Sequence, residues 1–141
     1  IRDTSVTGVQ TCALPISLDA LAVKGCKLAV CTNKLESLSR QLLDALDLSR
    51  RFAVICGQDT FGTMKPDPEV LRRTIRESGG DVGRAVMIGD SATDINTAKA
   101  ANVPVVAVDF GYTEIPVNRL GPDRIISHFD ALAEAVFDLM A

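Results

Sequence analysis

Three short stretches carry residue types that chemistry uses. Gly89-Asp90-Ser91-Ala92-Thr93-Asp94 sets two carboxylates four residues apart behind a glycine that permits a tight turn. Mg²⁺ is a hard cation that takes one or two carboxylates beside phosphate and water oxygens, and this pair suits it. Capping accounts for the same residues: Asp90 or Ser91 opens a helix and Asp94 favours its dipole. Thr32-Asn33-Lys34 follows an apolar run, where a hydroxyl and the first amides of a helix can cradle phosphate, or where Thr32 simply caps. In Met64-Lys65-Pro66-Asp67-Pro68 a lysine is held between a loop and a proline-started helix, placed to neutralise an anion or merely to be solvated. Together they supply phosphate donor, charge neutraliser and metal ligand, the parts that phosphoryl transfer needs.

Such residues must be brought together by the elements around them. Residues 27–31, 52–56, 85–88 and 103–108 are short apolar runs, the pattern of strands buried on both faces. Residues 124–126 make a short fifth. Helical spacing fills the gaps. Leu35, Leu38, Leu42, Leu43 and Leu46 line one face of residues 35–48. Asp67 and Pro68 open a helix that Gly79-Gly80 stops, and residues 92–101 form another with Asn102 at its end. Asp130 is placed to cap a last helix over residues 131–139. This alternation implies an α/β sandwich on a parallel sheet, in which ligands bind at the carboxyl ends of strands. The polar residues at those ends are Thr32-Asn33, Gln58-Asp59, Asp90-Ser91 and Asp109.

Composition sets limits on partners. The 141 residues hold 15 Lys and Arg against 18 Asp and Glu, a net charge of −3, so no basic surface recruits nucleic acid or an anionic membrane. No apolar run approaches the roughly 20 residues of a membrane span, and no basic-then-apolar signal peptide opens the chain. Cys12, Cys26, Cys31 and Cys56 contain no CxxC pair and read as reduced thiols of a cytoplasmic protein. Cys31 lies on the apolar strand, and packing is its expected role.

The strings AVCTNK, MKPDP and IGDSATD, in that order, resemble the second, third and fourth motifs of the haloacid dehalogenase (HAD) superfamily of phosphatases. The resemblance covers nearly all of residues 17–141. It implies a HAD-like, Rossmannoid three-layer sandwich and a Mg²⁺-dependent phosphomonoester hydrolase acting through an aspartyl-phosphate. By the same resemblance Thr32 bonds the transferring phosphoryl group with Asn33 nearby, and Lys65 holds phosphoryl oxygens. Asp90 ligates Mg²⁺, and Asp94 supports the ion directly or through water. The finer strings CTNK, ICGQDTFG, KPDPE and VVAVDFGYT resemble the branch acting on 2-phosphoglycolate, so the expected partner is a small phosphorylated metabolite. Pyrophosphate and sugar phosphates are the rival substrates.

The family's DxDGT motif, which supplies the nucleophile, occurs nowhere in these residues. The expectation is therefore a core lacking its first, central strand and its cap domain, inactive alone, with a gap between the strands ending at Thr32 and at Asp90. The string VTGVQTCALPI resembles a translated sequencing adapter, so residues 1–16 are expected to be foreign and residues 17–141 to be the family core. A signalling receiver domain uses similar residues, but there the acidic pair comes first, whereas here Thr32 and Lys65 precede Asp90 and Asp94. A non-catalytic binding module of the same family is the other competing reading.

Overall fold

The computed structural model describes residues 8–111 and 113–141, with side chains described from Ala13 onward. Its elements run α1 (Gly8–Val23), β1 (Ala29–Cys31), α2 (Glu36–Ala45), β2 (Val54–Cys56), α3 (Pro68–Glu77), β3 (Met87–Gly89), α4 (Ala92–Ala100), β4 (Val105–Val108), β5 (Arg124–Ile126) and α5 (Leu132–Met140). All ladders are parallel. β1 pairs with β2, Val30 opposite Ile55, and β4 lies between β3 and β5, with Val106 opposite Ile88 and Arg124. No ladder joins β1 to β3 among the described residues, so the strands form two sheets.

β4 shows how the layers arise. Its four residues are all buried, and their side chains alternate between two apolar clusters. Val106 and Val108 join Leu14, Leu18 and Leu21 of α1, Leu43 of α2 and Leu132 and Val136 of α5. Val105 and Ala107 join Leu71 of α3 and Ile95 and Ala98 of α4. Helices therefore cover both faces, which is why the strands read as continuous apolar runs. The expected three-layer α/β sandwich with parallel strands is what forms.

Several local expectations change. The helix expected over residues 35–48 shortens to α2, and a separate 3₁₀ turn follows over Ser49–Arg51. The strands are shorter than their apolar runs, because pairing ends where the partner ends. Asp130 does not cap the final helix. A 3₁₀ turn over Phe129–Ala131 precedes α5, and His128 Nδ1 accepts from the Asp130 N–H instead. The Asp67 cap forms as expected, with its carboxylate accepting from the Glu69 N–H at 2.9 Å and Pro68 in the first turn. Asn102 ends α4 in the left-handed region at φ 59°. The sequence predicts no helix near the start, yet α1 runs unbroken through residue 17 with Pro15 inside it. Leu14, Leu18 and Leu21, at i, i+4 and i+7, are its buried stripe, and the Ser17 hydroxyl donates to the Phe129 carbonyl at 2.5 Å.

Candidate active site

The carboxyl ends of β1 and β3 and the loop before α3 converge. Thr32 extends the β1 ladder by donating its N–H to the Cys56 carbonyl at 3.0 Å. The chain then turns, and the Thr32 hydroxyl accepts from the Lys34 N–H at 3.2 Å. Thr32 is thus not a helix cap, since α2 starts only at Glu36 after Leu35. Nor is the first amide of α2 open to a phosphate. The Glu36 N–H donates to Asp59 Oδ1 at 2.9 Å, so Asp59, a strand-end candidate, closes that helix from the loop after β2. The Thr60 hydroxyl adds a bond to Glu36 Oε1 at 2.7 Å. That bond and Arg40 hold the exposed Glu36 carboxyl below its ordinary value.

Lys65 is not a solvated loop lysine. It is 8% exposed, and its Nζ lies 2.5 Å from Oδ1 of Asp94, itself 7% exposed. Asp94 Oδ2 accepts from the Asp90 N–H at 3.0 Å and the Ser91 hydroxyl at 3.3 Å. Burial by itself would raise the Asp94 carboxyl. The Lys65 ammonium, its hydrogen bond and the Asp90 and Ser91 donors outweigh burial and hold the group below its ordinary value. Asp94 is therefore an anion locked in place, reaching back from the first turn of α4 to the end of β3. Ser91, at the N-cap position, makes no cap bond.

Two glycines let this packing close. A Cβ on Gly89 would stand 2.3 Å from Asp94 Cβ, and one on Gly111 would stand 2.3 Å from Asp90 Cβ. Neither position admits a side chain without displacing a carboxylate. Gly111 lies in the loop after β4, so that strand end also bounds the site. Asp109 beside it turns elsewhere, accepting from the Ser127 hydroxyl at 2.6 Å. Tyr112 lies outside the described residues.

Asn33 completes the group. Its Nδ2 donates to the Lys65 carbonyl and its Oδ1 accepts from the Lys65 N–H, both at 3.0 Å. The spacing of the motifs did not reveal this bond, because its partners are 32 residues apart in the chain. Cys31 and Cys56 are paired across the β1–β2 ladder. Burial raises both thiols, with Lys65 partly offsetting this at Cys31, so Cys31 is a packed, protonated thiol.

Residues 12–108 match the haloacid dehalogenase-like hydrolase family. The chain is similar to a phosphoglycolate phosphatase of Mesorhizobium japonicum, 61% identical over 108 residues that cover 77% of this chain and 48% of that protein. A phosphoglycolate phosphatase of Agrobacterium fabrum is 49% identical over 122 residues, covering 86% and 52%. Among solved structures, a predicted phosphoglycolate phosphatase from Haemophilus somnus superposes with a TM-score of 0.81 at 29% identity, covering 86% of this chain and 54% of that one. A variant of CbbY from Rhodobacter sphaeroides, in complex with xylulose-(1,5)bisphosphate, gives 0.73 at 26% identity, covering 85% and 54%. The chain spans about half the length of the curated relatives it matches. With a family match across most of its length and the motif residues gathered at the strand ends, the chain belongs to the haloacid dehalogenase-like hydrolases.

Proposed function

We propose that this chain is the phosphate-handling part of a Mg²⁺-dependent phosphomonoester hydrolase acting on 2-phosphoglycolate in the cytoplasm. The observation that carries the reading is the Lys65–Asp94 contact, which ties the loop before α3 to the end of β3 beside Thr32. In this reading residues 17–141 are the family core and residues 1–16 are foreign to it. Thr32 and Lys65 hold the phosphoryl oxygens, with Asn33 alongside. The two relatives above named as phosphoglycolate phosphatases support the substrate choice.

The donor set fits Mg²⁺ in a specific way. Both oxygens of Asp94 are already engaged, by Lys65 on one side and by the Asp90 N–H and Ser91 on the other. By the family resemblance Asp90 is the direct ligand, and Asp94 supports the site by fixing Lys65 and the end of β3. One carboxylate with water and phosphate oxygens is a normal Mg²⁺ environment. When bound, the ion would neutralise charge on the transferring phosphoryl group. The chain's own contribution is to hold the substrate oxygens between the Thr32 hydroxyl and the Lys65 ammonium. The low-lying Asp94 carboxyl stays ionised and so holds that ammonium in place.

No DxDGT string occurs in these residues, so in this reading the aspartyl nucleophile comes from outside them. The test compares this chain with a fusion that sets the front half of the Mesorhizobium japonicum phosphatase before Ser17. Both are assayed with Mg²⁺ on 2-phosphoglycolate, pyrophosphate and sugar phosphates. The expected result is no phosphate from the chain alone and preferential release from 2-phosphoglycolate by the fusion. Release by the chain alone would place a nucleophile within these residues, and a preference for another ester would overturn the substrate.

A further inference from the structure

We infer that Asn33 is a positioning residue, setting where the Lys65 ammonium stands rather than contacting the phosphoryl group itself. This rests on the function just proposed, and refines how one of its residues works. Lys65 belongs to no helix or strand. A backbone in a ladder is held by partners on both its N–H and its C=O, and here one planar side-chain amide takes both roles. The two bonds, each 3.0 Å and partly shielded from water, bracket a single residue and fix its rotation. They also fix where its side chain leaves the backbone.

That side chain runs to Asp94, and Asp94 to the Asp90 N–H. Asn33 therefore stands at one end of a hydrogen-bonded chain linking the ends of β1 and β3 through Lys65. Nδ2 gives one of its two hydrogens and Oδ1 one of its two acceptor sites to the Lys65 main chain, and this pair of bonds sets the amide's orientation from that loop. A residue serving the phosphoryl group directly would be oriented by the phosphate.

The test has two arms, and the first needs no activity. In the ¹⁵N-labelled chain, Asn33→Ala is expected to speed exchange of the Lys65 amide at least tenfold and to remove the contact signal between the Lys65 ε-methylene and Asp94. Asn33→Asp keeps the acceptor and is expected to keep the amide protection. Unchanged Lys65 exchange in a folded Asn33→Ala chain overturns the inference. The second arm uses the fusion. Asn33→Ala is expected to slow phosphate release at least tenfold, and the Asn33→Ala, Lys65→Ala pair to be no slower than Lys65→Ala alone. If Asn33→Ala costs the same factor with and without Lys65, Asn33 acts on the phosphate directly and the inference fails. A fusion inactive on every ester would sink the proposed function while leaving the first arm to decide the role of Asn33.

Discussion

At the residue scale, the Lys65–Asp94 pair sets the character of the site. Two charges this deeply buried are tolerable only together, and removing one leaves the other unpaired. Asp94→Ala is therefore expected to destabilise the chain by about 3 kcal/mol or more, and Asp94→Asn by less because it keeps the shape and one acceptor. The pH dependence follows from the lowered carboxyl. Its stabilisation is fully present above the ordinary value of 3.8 and is lost as pH falls through the lower folded value. Urea unfolding of the metal-free chain at pH 7 and pH 3 is expected to show the gap between wild type and Asp94→Asn narrowing in acid. A gap independent of pH would contradict the assignment. Thr32 and Asp90 were legible as candidates because each follows an apolar run, Asp94 because it lies in the first turn of a helix, and Lys65 because it stands just before a proline-started one. The bond from Asn33 to Lys65 was not, since no local period records a side chain that reaches 32 residues along the chain.

At the element scale, loops close what helices leave open. α2 has no side-chain cap at Leu35, and its first N–H is satisfied by Asp59 from the loop after β2. Asp59→Ala is expected to cost about 1 kcal/mol, the usual loss of a cap, seen as a lower denaturation midpoint. No change would mean that water serves the Glu36 N–H equally well. The sequence located Asp59 at a strand end but gave no reason to link it to a helix 23 residues earlier. The Asp67 cap, by contrast, was legible, because donor and acceptor are neighbours in the chain. His128 displaced Asp130 as the final cap for a similarly local reason. The 3₁₀ turn starts two residues before the helix was expected, which moves the capping position from 130 back to 128.

For the whole molecule, two apolar clusters either side of β4 hold the layers, and α1 supplies three leucines to one of them. Leu18→Ala is expected to cost about 2–5 kcal/mol, the range for truncating a buried leucine. A loss below about 0.5 kcal/mol would show that α1 does not pack as described. The layered α/β class was readable because strands covered on both faces must be apolar throughout, and the helices between them alternate with a 3.6-residue period. α1 was missed because Pro15 masks a stripe that Leu14, Leu18 and Leu21 otherwise spell out. No helix among the described residues is long and apolar enough to cross a membrane.

In the proposed reading, Thr32 at the end of β1, Lys65 in the loop before α3, and Asp90 and Asp94 at the β3–α4 turn handle a phosphoryl group with Mg²⁺. Phosphate release from 2-phosphoglycolate by the fusion, with and without Asp90→Asn, tests it most directly. Release that needs Mg²⁺ and falls about 100-fold or more in Asp90→Asn is the predicted result, the scale expected when one preorganised electrostatic partner is removed. Equal release by the folded variant, or release indifferent to Mg²⁺, would contradict it.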